Sequence, residues 1–144
     1  MTISHPLMSD NITRKDIDTL VEFLQQEPIP KLTNGPKVAE FEQKWSEWLG
    51  VKYSVMVNSG SSANELTMLA LSYELGIPAT GHVAPYEVIV PALTWTSDIS
   101  SVFFAGLRPV FCDINLSNLA FDLERLEAAI TPRTRAVFLT HVLG

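Results

Sequence analysis

From Tyr53 onward, short β-rich runs alternate with runs whose apolar residues recur at helical spacing, and this alternation constrains the fold more than any other feature of the chain. Strands joined through an intervening helix pair in parallel, whereas a hairpin would return the chain antiparallel. Glu87-Val88-Ile89-Val90 and Ala136-Val137-Phe138-Leu139 are almost continuously apolar, as expected where helices cover both faces of a parallel sheet. Strands are predicted over 53–57, 86–90, 109–112 and 135–140. Between them, helices are predicted over 61–75, with Ser62 and Glu65 in capping-box spacing, over 97–105, and from the Asp122 cap to about Ile130. The fold class is α/β, with a mainly parallel sheet and crossover helices.

Upstream, Thr13 with Asp16 three residues later caps a helix through Ile17, Leu20, Val21 and Leu24 that Pro28 stops, giving an end near Gln26. Residues 29–36 contain Asn34 and Gly35 between prolines and read as an irregular loop. Val38, Phe41, Trp45, Trp48 and Leu49 then share one face of a second helix, which Gly50 is placed to end. The organisation is an N-terminal helix and loop over 1–35 and an α/β part over 36–144.

A formal net charge of -6 over 144 residues, without clustered lysine and arginine, argues against a nucleic acid partner, because phosphate neutralisation needs such clusters. Cys112 is the single cysteine, so an intramolecular disulfide or a cysteine-rich zinc site is excluded and a reducing cytoplasm is expected. No metal site is expected. No stretch reaches about 18 uninterrupted apolar residues, and the first ten residues lack a cationic start before an apolar run, so no membrane partner or export is expected.

Ligands of parallel sheets bind beyond the carboxyl ends of the strands. Three segments qualify: Asn58 to Asn64, Pro91 to Asp98, and Thr140 to Gly144. In the first, Gly60, Ser61 and Ser62 open a helix, whose free amides and positive end favour a phosphate group. The same serines serve equally well as a plain helix cap. Neither a P-loop lysine nor a G-x-G-x-x-G pattern is present. In the second, Trp95 can stack on a planar heterocycle or belong to the core. Asp98 can cap a helix or line a pocket, while Asp113 is read as the start of a turn. In the third, His141 can meet a ligand or serve as an ordinary hydrogen-bonded strand-end histidine. His5 and His82 lie in a terminal tail and a polar loop and carry no assignment.

Five pieces in order, Leu32-Thr33-Asn34-Gly35-Pro36-Lys37-Val38 with Phe41-Glu42, Ser59-Gly60-Ser61-Ser62-Ala63-Asn64, Val90-Pro91-Ala92-Leu93-Thr94-Trp95, Val110-Phe111-Cys112-Asp113-Ile114 and His141-Val142-Leu143-Gly144, resemble the DegT/DnrJ/StrS family of pyridoxal-phosphate enzymes that act on nucleotide-linked sugars. The resemblance covers most of the chain. It implies the N-terminal part of a fold-type I aminotransferase large domain, with the phosphate of pyridoxal 5'-phosphate at Gly60, Ser61 and Ser62 and its ring against Trp95. It also implies Asp98 and His141 as pocket residues, and Thr33 and Asn34 near the site of a partner subunit in a homodimer. The implied reaction transfers an amino group from a donor such as glutamate to a keto sugar linked to a nucleotide.

The resemblance further implies a Schiff-base lysine and an aspartate facing the pyridine nitrogen. The lysines here, Lys15, Lys31, Lys37, Lys44 and Lys52, all precede Gly60. The expectation is that the catalytic lysine lies beyond residue 144 and that the chain alone is inactive. Leu143 stands where many members have tyrosine, which removes one implied substrate contact. Two alternatives stay open: a pyridoxamine-phosphate-dependent deoxysugar dehydratase of the same superfamily, with histidine in place of the lysine, and a non-catalytic cofactor-binding remnant ending naturally at Gly144.

Overall fold

The computed structural model describes residues 11–77 and 85–141. The terminal tail with His5, the loop with His82, and Val142-Leu143-Gly144 lie outside the described residues. The chain divides into two compact units, 1–56 and 57–144.

In the first unit, α1 (Arg14–Leu24) begins with the expected capping box. Asp16 N–H faces Thr13 Oγ1, and Thr13 N–H donates back to Asp16 Oδ2 at 2.7 Å. Its end at Leu24 falls two residues short of the predicted one. Helix α2 (Pro36–Leu49) starts behind Gly35, where a Cβ would stand 2.5 Å from the Lys31 carbonyl oxygen; only glycine fits that approach. Along α2, Phe41 stacks on Trp45 at 5.8 Å and Trp45 meets Trp48 at 5.0 Å.

The predicted first strand over 53–57 does not form. Its backbone binds the preceding helix instead: Met56 N–H donates to Glu42 Oε1 at 2.8 Å, and Ser46 Oγ donates to Ser54 Oγ at 2.8 Å. A β-prone run becomes a strand only if a neighbouring strand takes its hydrogen bonds, and here a helix side chain takes one first.

The second unit holds α3 (Gly60–Glu74), β1 (Glu87–Pro91), α4 (Thr96–Phe104), β2 (Arg108–Cys112), α5 (Leu123–Ala129) and β3 (Thr134–Val137). The strands form one parallel sheet in the order β2-β1-β3, with Ile89 beside Val110 on one side and Val137 on the other. Val88 and Val90 pack with Met68, Val102, Ala105 and Leu107 beneath α3 and α4, while Ile89 packs with Cys112 and Phe121 on the α5 side. Full burial of Val88, Ile89, Val90, Val102 and Leu107 stabilises the unit by about 1.5–3 kcal/mol per side chain, so this sandwich is the rigid floor of whatever lies at the strand ends.

Ser62 and Glu65 do not form the cap of α3; Ser59 does, three residues earlier, its hydroxyl accepting from Ser62 N–H at 3.2 Å, and the helix begins at Gly60. The last strand, Thr134–Val137, is shorter than 135–140, and among the described residues it is not covered on both faces. Ala136 and Phe138 reach the core below α3 and α4, but Val137 and Leu139 remain 43% and 54% exposed on the α5 side, since α5 is short and Leu126 and Ala129 pack over Ile89, Cys112 and Phe121 instead.

At the amino end of β1, the buried Glu87 carboxylate is fully partnered. Thr131 Oγ1 donates to it at 2.7 Å and the Arg133 guanidinium stands 2.9 Å away.

Candidate functional site

Three segments of the second unit, the α3 start and those beyond β1 and β3, converge on one carboxylate. Asp98 is the third residue of α4 and is 3% exposed. Its Oδ1 accepts from Asn64 Nδ2 of α3 at 2.7 Å, and its Oδ2 accepts from Thr140 Oγ1, just beyond β3, at 2.7 Å. Thr94 Oγ1, in the turn after β1, also donates to Oδ2. The negative carboxylate sits in the first turn of α4, where the helix end favours it.

On one side of this hub lies the start of α3. Ser59 ends the preceding extended segment, and its hydroxyl takes the Ser62 amide. Among the described residues no protein acceptor takes the Gly60 and Ser61 amides, the first two of the helix. A Cβ at Gly60 would meet nothing within 4 Å, so the packing does not require glycine there; the bare backbone leaves room for a group in front of those amides. Ser61 is exposed and lines a groove of about 330 Å³ with Glu65, Ser97, Ser100, Ser101 and Phe104. The Ser62 hydroxyl is already engaged, donating to Asn58 Oδ1 at 2.7 Å.

On the other side, Trp95 is the N-cap residue of α4 and is 71% exposed, so among the described residues its ring is not part of the core. The extended conformation of Trp95 (φ -76°, ψ 146°) carries the chain from the sheet into the helix and leaves the ring outside both hydrophobic clusters. His141 is exposed beyond Thr140 and lines a separate, mostly apolar groove of about 300 Å³ with Phe121, Leu126, Val137 and Leu139. Asp113 makes a turn, its Oδ1 accepting from Ile114 N–H at 2.9 Å. Thr33 and Asn34 are exposed in the loop of the first unit, and Asn34 holds a left-handed φ of 45°.

A phosphate fits the α3 start by its donor set: two free backbone N–H groups, the Ser61 hydroxyl and the positive end of a fifteen-residue helix. Sequence reading singled out Asp98 but not its partners Asn64, Thr94 and Thr140. The signal available was a donor side chain in each of the three strand-end segments, and only contact in three dimensions distinguishes such a set from unrelated surface polar residues.

Comparison with known proteins agrees with this architecture. Residues 10–144 match the DegT/DnrJ/EryC1/StrS aminotransferase family, and the chain belongs to that family. It is 34% identical over 142 residues to a GDP-4-keto-6-deoxy-D-mannose 3-dehydratase of Yersinia pseudotuberculosis, covering 99% of this chain and 35% of that one. It is 31% identical over 139 residues to a UDP-4-amino-4-deoxy-L-arabinose–oxoglutarate aminotransferase of Shewanella sediminis, covering 96% and 33%. Among solved structures, the Escherichia coli GDP-4-keto-6-deoxy-D-mannose-3-dehydratase with bound hydrated PLP superposes with a TM-score of 0.69 at 32% identity, covering 95% of this chain and 34% of that one. The chain therefore spans about a third of the length of the relatives it matches.

Proposed function

We propose that the protein to which these residues belong binds pyridoxal 5'-phosphate and transfers an amino group from a donor such as glutamate to a keto sugar linked to a nucleotide. The observation that carries this is the pairing, at one sheet edge, of an open helix start at Gly60, Ser61 and Ser62 with the exposed Trp95 ring, both tied to Asp98. Family membership and a sugar aminotransferase among the relatives support it.

In this reading the Gly60 and Ser61 amides and the Ser61 and Ser62 hydroxyls hold the phosphate, and Trp95 covers one face of the ring and excludes water from it. Bound there, the cofactor supplies the electron sink for the amino transfer. His141 borders the substrate side. Thr33 and Asn34 serve the site of a second copy in a homodimer, and the setting is a reducing cytoplasm in which Cys112 stays a thiol.

A second reading is favoured by the Yersinia relative: removal of a sugar hydroxyl with the same cofactor bound at the same residues. One experiment separates them. The complete protein is incubated with pyridoxal phosphate, glutamate and nucleotide-linked keto sugars, and the sugar products are analysed by mass spectrometry. An amino sugar establishes the transferase, and a keto sugar with one hydroxyl fewer than the one supplied establishes the dehydratase. Failure of the protein to bind pyridoxal phosphate overturns both.

A further inference from the structure

The Asp98 carboxylate is buried, yet the ion pairs found among the described residues all involve other acidic side chains. A buried carboxylate without a cation is costly unless hydrogen bonds replace its water. Here the replacements come from three separate elements: Asn64 from α3, Thr94 from the turn after β1 and Thr140 from the segment after β3. The partners lie 34, 4 and 42 positions away in the chain. Thr94 and Thr140 also approach each other, their hydroxyl oxygens 3.1 Å apart. With both oxygens taken by protein donors, Asp98 has little capacity left for a ligand.

We propose that Asp98 is a positioning residue. It fixes the α3 start, the turn that carries Trp95 and the segment that leads to His141 relative to one another, so that a phosphate and a planar ring bind at a set separation. The inference rests on the cofactor reading above for its ligand, and on the hydrogen bonds alone for its mechanics. Asn64 lies one turn along from Gly60, Thr94 is the neighbour of Trp95, and Thr140 is the neighbour of His141, so each bond pins one ligand-edge residue through the next rigid position in its element. A structural carboxylate elsewhere in the sheet, Glu87, binds only groups at the amino ends of the strands, away from that edge.

The test uses the complete protein with Asp98→Asn and, should that variant fold poorly, Thr140→Val; Thr94→Ser and Thr140→Ser serve as conservative controls. Amide hydrogen exchange is measured without cofactor. Exchange at the hydrogen-bonded amides of Ser62, Ala63, Asp98 and Phe138 should rise about tenfold in Asp98→Asn and Thr140→Val, while Val88, Ile89 and Val90 stay protected. The two serine controls, which keep the hydroxyls, should match the unsubstituted protein. With pyridoxal phosphate, Asp98→Asn should weaken binding about tenfold and alter the circular dichroism of the bound chromophore. Combined with Thr140→Val it should cost less than the sum of the two. Unchanged local exchange, or a uniform rise that includes β1, overturns the positioning role whether or not cofactor binds. If the unsubstituted protein binds no pyridoxal phosphate while exchange behaves as expected, the cofactor reading falls and Asp98 is a latch for some other ligand site, which overturns the proposal as stated.

Discussion

Asn64 Nδ2 donates to Asp98 Oδ1 at 2.7 Å and thereby joins the fifth residue of α3 to the third residue of α4. The bond is partly buried and lies beside the helix start at Gly60 and the exposed Trp95. A mobile loop could present the same chemical groups, but it would have to lose conformational freedom on binding; two helices locked on a buried sheet have already lost it.

Gly60 and Ser61 are open to a ligand, whereas Ser62 is committed to Asn58 and to the Ser59 cap. Gly60→Ala should leave the melting temperature unchanged or slightly raised, because nothing lies within 4 Å of the added methyl group and alanine is the better helix former by about 0.5–1 kcal/mol. The same substitution should weaken pyridoxal phosphate binding. Ser61→Ala should cost about 1.5–3 kcal/mol of binding, the range for a hydrogen bond to a charged group, and Ser62→Ala should cost less because its hydroxyl must first leave Asn58. Titration of the three variants of the complete protein checks the order; equal losses for both serines would contradict it.

Trp95 contributes little to packing, so Trp95→Ala should leave thermal stability nearly unchanged while reducing cofactor affinity by roughly 0.5–1.5 kcal/mol. Binding should quench tryptophan emission, and Trp95→Phe should abolish most of that quenching although Trp45 and Trp48 still emit. Quenching that survives Trp95→Phe would place the ring elsewhere.

Burial pushes the Cys112 thiol above its ordinary value of 9.0, and the nearby Asp122 and Asp113 carboxylates push in the same direction. Folding therefore favours the protonated thiol. The resulting stability is fully present below about pH 9, the unfolded value, and is lost as pH rises through the higher folded value. Native protein at pH 8 should react slowly with iodoacetamide and the urea-unfolded chain quickly. Equal rates would show that the thiol is not held protonated in the folded state.

Val137 and Leu139 leave an apolar strip on the α5 side of β3, and β3 is an edge strand among the described residues. Residues 1–144 produced alone should bind a hydrophobic dye and self-associate with rising concentration, and Leu139→Thr should lessen both. Light scattering that reports a monodisperse monomer, without dye binding, would contradict this.

Local chemistry explains what was legible beforehand. Thr13 with Asp16 and Asp122 before Leu123 are short-range signals whose physics is complete within one turn, and α1 and α5 begin where they point, whereas α2 begins at Pro36, inside the stretch expected to be loop. The continuous apolar run of β1 declared a strand buried on both faces, as it is. The phosphate-friendly start of α3 could be read from the bare sequence Ser59-Gly60-Ser61-Ser62, even though the cap was misplaced by three residues.

What only the tertiary structure decided are the features that depend on distant partners. Tyr53 to Val57 has the composition of a strand, but Glu42 and Ser46 of α2 bind this segment. The run ending at Leu139 is as apolar as β1, yet among the described residues its α5-side face lies open, because Leu126 and Ala129 pack over Ile89, Cys112 and Phe121 instead. Asp98 read from sequence is one more acid in the first turn of a helix; its burial and its bonds to Asn64, Thr94 and Thr140 exist only once the α3 start meets the ends of β1 and β3. A sequence specifies caps and periodicity because those interactions close within a few residues, whereas the partners of a buried carboxylate or a β ladder are chosen by the whole sheet.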